Sequence, residues 1–204
     1  MNPIAIGGKL DKNILELAYR NGIFPWPLEQ GELLAWFSPD PRGVLFLDEF
    51  TINSSFNKFL RKLEISKQFS WTTNHSFTRV MELCGQNDKR SKENDGFWIT
   101  PELINVYTDL FLENKAYSIE IWNKNQELIG GLYGVKLGKY VSGESMFHLE
   151  DNASKYALFV LVNLLKEEKI EWIDTQMVSD ILGKLGAREI PRKDFLILLK
   201  KSLE

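Results

Sequence analysis

The stretch from Ile129 to Lys155, IGGLYGVKLGKYVSGESMFHLEDNASK, decides how this chain of 204 residues folds. Residues 129–137 are apolar and interrupted by glycines, which predicts a strand that another backbone or a ligand can approach closely. A second short strand is predicted from Lys139 to Ser142, and Gly143 is expected to end it. The pair Asp151–Asn152 is expected to cap the next helix. The stretch therefore predicts two neighbouring strands and then a helix.

Polar side chains stand among apolar ones at two places near this stretch. Glu144 has apolar neighbours, and an acid in such a setting costs free energy to bury unless it has a partner. The segment from Glu171 to Met177, EWIDTQM, predicts a strand on which Asp174 and Gln176 leave the same face because they are two residues apart. A carboxylate beside a carboxamide predicts a polar site on an otherwise buried strand.

The rest of the chain predicts an α/β (α+β) architecture. Apolar residues recur at helical spacing over residues 153–165, and strand and helix patterns alternate on either side of this segment. These patterns predict a mixed sheet flanked by helices. The segment WFSPDPR, residues 36–42, is expected to join a small N-terminal unit, residues 1–40, to a main domain, residues 41–204.

Composition and charge exclude several classes of protein. The net charge is −3, which argues against a protein that grips long nucleic acid by bulk charge but leaves room for a local basic patch. No apolar run approaches the length of a membrane span, and the N-terminus lacks the regions of a signal peptide. A single cysteine, Cys84, forms no internal disulfide and no cysteine-based metal site. We therefore expect a cytoplasmic protein without a membrane partner or a bound metal.

Two features suit contact with nucleic acid, and each has a plainer interpretation. Trp26 lies between two prolines, which predicts a rigid loop whose aromatic ring either packs in the core or stacks on a nucleobase. A helix predicted from Ser54 or Ser55 to about Leu63 carries three cations, and a fourth lies just beyond it; together they form either a solvated face or a basic patch. These cations are Lys58, Arg61, Lys62 and Lys67.

The motifs GGLYG, SGESMF, DNASK and IDTQ, in this order and spacing, resemble the leucyl/phenylalanyl-tRNA–protein transferases. The resemblance extends through GIFPW, WFSPDPR, FWITPELI and LGAREIPR, and so covers nearly the whole chain. It implies a short member that lacks part of the N-terminal segment and the C-terminal tail. It also implies a GNAT-like fold in the larger domain and no cofactor. Such an enzyme transfers Leu or Phe, with Met as a third candidate, from aminoacyl-tRNA to an N-terminal Arg or Lys of a protein, creating an N-degron.

The resemblance also assigns roles to the polar residues. Asp174 and Gln176 match the catalytic pair, in which Gln176 would orient the attacking amine and Asp174 would polarise or orient Gln176. Glu144 matches a carboxylate at the pocket edge that would fix the donor α-amino group or the ribose. Trp26 and Trp98 match aromatic residues that hold the terminal adenosine, and the basic patch matches a surface for the tRNA acceptor arm.

An apolar pocket for the donor side chain is implied by the same resemblance. Met146 matches a residue beside it, and the residues that match its walls are Leu132, Leu158, Leu165 and Ile173. Val141 and Leu161 stand where aromatic residues are common in the family. Because they are smaller, the resemblance implies a roomier pocket that favours Phe, and Trp as a further candidate, over Leu.

Two other functions are compatible with the sequence. The first is a peptide-bond-forming enzyme that uses aminoacyl-tRNA to extend a small peptide or metabolite. The second is a non-catalytic tRNA-binding module, which would have no need of Asp174 and Gln176. An acyl-CoA donor is disfavoured because the loop after the central strand lacks an arginine- and glycine-rich nest for the CoA pyrophosphate.

Overall fold

The computed structural model describes residues 2–28, 33–87 and 99–204, apart from the side chain of Asn87. The helices are α1 (Lys12–Arg20), α2 (Ser54–Ser66), α3 (Phe77–Asn87), α4 (Pro101–Leu112), α5 (Ala153–Glu167), α6 (Asp180–Gly183) and α7 (Arg192–Leu203). The strands are β1 (Ala5–Ile6), β2 (Phe24–Leu28), β3 (Leu33–Phe37), β4 (Arg42–Phe46), β5 (Phe69–Thr73), β6 (Ala116–Asn123), β7 (Leu128–Leu137), β8 (Tyr140–His148), β9 (Trp172–Gln176) and β10 (Arg188–Ile190).

The strands form two sheets. The larger has seven strands in the order β10-β4-β9-β8-β7-β6-β5, and the smaller has three in the order β1-β3-β2. In the larger sheet only β8 and β9 pair in parallel, with Ser142 opposite Asp174, and the other neighbours are antiparallel. The predicted mixed sheet flanked by helices is confirmed.

Both faces of the larger sheet are buried, as the alternation of side chains along its strands shows. Trp172 and Tyr133 belong to a hydrophobic cluster with residues of α1, α3, α4 and α7. Their chain neighbours Ile173 and Leu132 belong to a second cluster with residues of α2 and α5. Because successive side chains of a strand point to opposite faces, the two clusters are the two layers of core. Strands β2 and β3 also contribute to the first cluster.

The first predicted strand of the decisive stretch is confirmed, whereas the second strand and the helix cap differ from the prediction. Strand β8 does not end at Gly143 but continues to His148, because its second half also pairs with β7. Asn152 is the N-cap residue of α5, but its side chain makes no capping hydrogen bond. A capping side chain needs an extended N-cap residue, whereas Asn152 has a left-handed φ of 67°.

Trp26 lies in a strand and not in the predicted loop. It pairs with Ala35 in the antiparallel ladder between β2 and β3. Its neighbours Pro25 and Pro27 are compatible with a strand here because β2 lies at the edge of the three-stranded sheet, where a missing N–H is tolerated.

Candidate active site

Glu144 is placed by an irregularity in the pairing of β7 and β8. Tyr133 pairs with Ser145, but the next residue, Gly134, pairs with Gly143, so Glu144 is the extra residue of a β-bulge. A Cβ atom at Gly134 would lie 1.9 Å from a carbonyl oxygen of β8, so only glycine fits opposite the bulge. Bulges redirect side chains next to active sites, and this one brings the Glu144 carboxylate to β9.

Hydrogen-bond donors surround the Glu144 carboxylate. Its Oε1 accepts hydrogen bonds from Ser142 Oγ at 2.6 Å and Gln176 Nε2 at 2.9 Å. Its Oε2 lies 3.5 Å from the Tyr107 hydroxyl, which is 2.5 Å from the Tyr19 hydroxyl. Burial raises the pKa of Glu144 above its ordinary value, although hydrogen bonds from Ser142 and Tyr19 lower it. Glu144 therefore binds a proton more readily than an exposed glutamate does.

Gln176 occupies a strained turn at the end of β9. Its φ is +56°, a left-handed value that costs a residue other than glycine about 1–3 kcal/mol. The Met177 N–H donates to the Thr175 carbonyl oxygen at 2.5 Å and closes a three-residue turn around Gln176. The turn packs against Gly43, where a Cβ atom would lie 2.6 Å from the Met177 carbonyl carbon. Strain of this kind concentrates at functional sites.

Four donors enclose the Asp174 carboxylate. Its Oδ1 accepts hydrogen bonds from Arg42 Nε at 2.8 Å and from the backbone N–H of Gln176 at 3.0 Å. Its Oδ2 accepts hydrogen bonds from Arg42 Nη2 at 2.6 Å and from the Tyr140 hydroxyl at 2.7 Å. A carboxylate offers about four acceptor sites, so the acceptor capacity of Asp174 is fully used. Asp174 and Arg42 each have 0% of their surface exposed.

The geometry of Asp174 and Gln176 differs from the simple two-residue repeat. Asp174 pairs with Val44 and Gln176 with Gly43, so one extra residue of β9 lies between them and the strand alternation is broken. Asp174 contacts Gln176 through the backbone N–H, whereas Glu144 contacts the Gln176 carboxamide. The strand is therefore irregular between the two residues, yet both side chains contact groups on the side of the first core cluster. Asp174 contacts Tyr140, and Gln176 contacts Glu144, which Tyr107 approaches.

Arg42 connects three distant parts of the chain. Its guanidinium lies between the rings of Phe24 and Phe195, 5.1 Å and 4.3 Å from their centroids. Its Nη1 donates to the carbonyl oxygen of Gly22 at 3.0 Å. Burial lowers the pKa of Arg42, but the Asp174 carboxylate outweighs this effect and raises the pKa above its ordinary value. Arg42 therefore remains a cation.

The residues assigned to the donor pocket lie in one apolar cluster. Each of the six is buried in the layer formed with α2 and α5, and Met146 packs against them. These residues are Leu132, Val141, Leu158, Leu161, Leu165 and Ile173. Leu161 and Leu165 also line a cavity of about 450 Å³, which the Tyr117 side chain borders from β6.

The aromatic and basic candidates lie outside this cluster. Trp26 packs against the other core layer, and Trp98 is not among the described residues. The four cations of the candidate patch are solvent-exposed on α2 and at its C-terminal end. None of them forms an ion pair with another residue of the described ranges. Arg61 and Lys67 line a groove of about 590 Å³ beside the exposed ring of Trp71.

Sequence comparison identifies the family. The profile described as leucyl/phenylalanyl-tRNA protein transferase matches residues 44–200, and that of the N-terminal domain matches residues 8–40. The chain belongs to the leucyl/phenylalanyl-tRNA–protein transferase family. This family transfers aminoacyl groups from tRNA to proteins, and the chain is therefore an aminoacyltransferase.

Members of the family from several bacteria are similar to the chain over most of its length. The one from Pseudoalteromonas atlantica is 44% identical over 98% of this chain and 82% of the relative. The one from Flavobacterium johnsoniae is 45% identical over 97% of this chain and 89% of the relative. The leucyl/phenylalanyl-tRNA–protein transferase of Pectobacterium carotovorum is 42% identical over 95% of this chain and 78% of the relative.

Solved structures outside the transferase family also match the chain. L-PGS from Bacillus licheniformis matches with a TM-score of 0.44 and 14% identity, over 86% of this chain and 54% of that one. A GNAT-family acetyltransferase from Staphylococcus aureus matches with a TM-score of 0.39 and 14% identity, over 50% of this chain and 69% of that one.

Two further features of the transferase concern metals and membranes. In the described part of the chain, no group of three or more His, Cys, Asp and Glu side chains is arranged to hold a metal ion. None of the helices in residues 2–28, 33–87 and 99–204 has the length and apolar character that crossing a membrane requires.

Several residues of the candidate site were not predicted from the sequence. Arg42 entered it only as the last residue of the motif WFSPDPR, and Tyr140, Ser142, Tyr19 and Tyr107 were not predicted as part of the site. A signal was present for Arg42, because a cation that opens the apolar strand RGVLF needs a buried partner. The tyrosines carried no such signal, because a tyrosine at an apolar position is ordinary core.

Proposed function

We propose that the chain transfers Leu or Phe, with Met as a third donor, from aminoacyl-tRNA to the α-amino group of an N-terminal Arg or Lys of a protein. The product would carry a signal for degradation, and the reaction would take place in the cytoplasm. The observation that carries this proposal is a cluster of hydrogen-bonded polar residues at the parallel pair β8–β9. In it, Gln176 donates to Glu144 through its side chain and to Asp174 through its backbone N–H. The chain that holds this cluster belongs to the transferase family.

Gln176 suits the role of orienting the amine. Its Nε2 donates a hydrogen bond to the Glu144 carboxylate, which fixes the side-chain amide. The amide oxygen Oε1 is therefore directed away from that carboxylate. No described residue donates a hydrogen bond to this oxygen, which leaves it for the N–H of an incoming amine. Holding an amine against an already activated ester accelerates the reaction through proximity and orientation. Asp174 supports this arrangement by fixing the backbone of the Gln176 turn.

Donor selection is proposed for the apolar cluster around α5. A pocket between Leu132, Met146, Leu158 and Ile173 would accept an unbranched or aromatic side chain. Val141 and Leu161 leave more room than aromatic residues would. An apolar pocket separates substrates that differ by one methylene by only about 1–3 kcal/mol, so we expect graded discrimination among Leu, Phe and Met.

Binding of the tRNA is proposed for the exposed cations of α2 and for Trp26 and Trp98. The patch of Lys58, Arg61, Lys62 and Lys67 would meet phosphates of the acceptor arm. Exposed cations that form no ion pair with residues of the described ranges can neutralise phosphates, which supports the proposal. In this arrangement, residues 1–40 form a small unit and residues 41–204 the aminoacyltransferase domain.

The experiment offers separately charged leucyl-, phenylalanyl- and methionyl-tRNA with peptides that begin with Arg, Lys or Met. We expect transfer of Leu and Phe to the Arg and Lys peptides and none to the Met peptide. Uncharged tRNA plus free amino acid is the control, because no ATP is supplied to activate the acid. Equal transfer to all peptides, or transfer only to a small metabolite, would contradict the proposed acceptor.

A further inference from the structure

Two carboxylates lie beside Gln176, and their surroundings differ. Asp174 has no exposed surface, and its four acceptor positions hold four donors. Glu144 keeps part of its surface exposed. Both acceptor positions of its Oε1 are used, whereas Oε2 has a long contact of 3.5 Å to Tyr107 in a region that the Tyr19 hydroxyl also approaches. Glu144 Oε2 is therefore less fully engaged by short hydrogen bonds than the Asp174 carboxylate, which could take a proton only by displacing a donor.

We propose that Glu144 accepts the proton of the attacking amine, and that Arg42 is a positioning residue that holds the Asp174 carboxylate against the backbone of the Gln176 turn. This inference rests on the proposed transfer reaction. It assigns the two carboxylates different roles. Glu144 accepts and returns a proton, whereas Asp174 fixes the backbone that orients the Gln176 side chain.

The chemical step balances without any further reactant. The neutral amine of the acceptor attacks the ester carbonyl carbon, and the C–N bond forms as the nitrogen becomes positively charged. Glu144 Oε2 takes one proton from this nitrogen. The bond from the carbonyl carbon to the ribose oxygen then breaks, and the protonated Glu144 returns the proton to that oxygen. The products are a peptide bond and a free ribose hydroxyl, and Glu144 is again a carboxylate.

Arg42 makes the same role unfavourable for Asp174. A proton on either Asp174 oxygen would displace a guanidinium N–H, the Tyr140 hydroxyl or the Gln176 backbone N–H. It would also leave the Arg42 cation buried without its counter-charge, which is strongly unfavourable. Burial and the negative charge of Asp174 raise the pKa of Tyr140 well above its ordinary value, so Tyr140 remains a donor.

Groups from four elements face Glu144 and set its titration. Ser142 and Gln176 donate from β8 and β9, and the Tyr107 and Tyr19 hydroxyls approach from α4 and α1. The nearest charges are Asp174, which raises the pKa of Glu144, and Arg42, which lowers it. Because the pKa is raised overall, the carboxylate that accepts the proton becomes more populated as pH rises through that value.

The first test compares single-turnover transfer by the wild type and by Glu144→Gln over a range of pH. We expect Glu144→Gln to lose about 10²- to 10⁴-fold in rate while its affinity for charged tRNA stays close to wild type. The matched control is Glu150→Gln, an exposed glutamate just beyond β8, which should transfer at the wild-type rate. Arg42→Lys should lower the rate without moving the Glu144 limb of the pH profile, because Lys keeps the positive charge that lowers the pKa of Glu144.

Chemical rescue separates a proton acceptor from a structural residue. Formate or acetate added to Glu144→Ala should restore part of the rate, and acetate should restore more because it is the stronger base. The same acids should not rescue Asp174→Ala, because that position is enclosed and holds backbone in place. Thermal unfolding checks that each variant is folded. Glu144→Gln should not share the loss of stability that the wild type shows as pH rises through the pKa of Glu144, because burial disfavours the charged form of that residue.

Two results would overturn the inference. One is a wild-type transfer rate in Glu144→Gln, and the other is rescue by added acids at position 174 but not at position 144. The wild type is assayed first on the Arg and Lys peptides, and failure there concerns the proposed acceptor alone. The variants would then be compared on whichever acceptor the wild type uses.

Discussion

Replacing Arg42 with methionine is expected to cost more stability than the loss of an exposed ion pair. Asp174 would stay buried without its cation, and breaking a buried pair in this way costs about 3–5 kcal/mol. The lost contacts with the Phe24 and Phe195 rings add about 1 kcal/mol. A domain is stabilised by only about 5–15 kcal/mol in total, so the variant should lose a substantial part of the wild-type free energy of unfolding.

A second substitution at Asp174 should recover much of this loss. Replacing both members of a buried ion pair with apolar side chains is often close to neutral, so Arg42→Met with Asp174→Leu should lose about 3 kcal/mol less than the sum of the single losses. The recovery should be incomplete, because the Tyr140 hydroxyl and the Gln176 N–H lose their acceptor, at about 1–3 kcal/mol for each buried donor. Adding Tyr140→Phe should reduce the remaining loss.

Urea unfolding followed by the fluorescence of the tryptophans measures each free energy of unfolding, with an unchanged m-value as the check that compactness is preserved. The chain offers a matched control in Arg188 and Glu49, which also pair through two hydrogen bonds, at 2.8 Å and 3.1 Å, but at the surface. An exposed pair contributes about 0–1 kcal/mol. If the losses at Arg42 and Asp174 add within about 0.5 kcal/mol, as they do for independent sites, the reasoning about this pair is refuted.

Three further predictions concern catalysis, tRNA binding and donor choice. Gln176→Ala should lower single-turnover transfer by about 10²-fold or more while filter binding of charged tRNA is nearly intact, and a wild-type rate would remove Gln176 from the mechanism. Alanine at Lys58, Arg61 and Lys62 together should weaken tRNA binding and flatten its dependence on salt, since each lost phosphate contact removes about 0.9 from the log–log slope. An unchanged slope would identify a solvated face, and the matched control replaces the exposed α7 residues Lys193, Lys200 and Lys201. Val141→Phe should shift the donor ratio towards Leu in a competition between charged tRNAs, by about 1–3 kcal/mol at most, and an unmoved ratio would show that Val141 does not contact the donor.

The sequence predicted those parts of the fold that depend on local pattern. Strand β7 follows from an apolar run interrupted by glycines, and helix α5 follows from the helical spacing of its apolar residues. Both patterns are local, so neither prediction needed knowledge of the neighbouring elements. The secondary structure at Gly143 and at Trp26 depends instead on which strands lie beside them. Strand β8 continues through Gly143 because the neighbouring β7 provides hydrogen-bonding partners for its backbone. Trp26, although it lies between two prolines, belongs to a strand because β3 pairs with this segment.

The details of the site could not be predicted from pattern alone. Arg42 and Asp174 are 132 residues apart, and they meet only because β4 pairs with β9 in one particular register. Both bulges interrupt the regular ladder, at Glu144 and between Asp174 and Gln176, so counting along a strand does not give the contacts that these side chains make. Glycines mark both places, since Gly134 and Gly43 each lie where no Cβ atom fits.

The buried arginine also connects residues 22–24, early in the chain, to the candidate site. Gly22 and Phe24 belong to that part, and both contact the Arg42 guanidinium that holds Asp174. Phe195, on α7, also contacts the guanidinium. A change that displaces β2 or α7 would therefore shift the Arg42 guanidinium and weaken its hydrogen bonds to Asp174. The strained turn of Gln176, which Asp174 holds through a backbone hydrogen bond, would then be less well fixed. Neither β2 nor α7 contacts Gln176 through these interactions. Both ends of the chain thus stabilise a left-handed glutamine that an isolated strand would not hold.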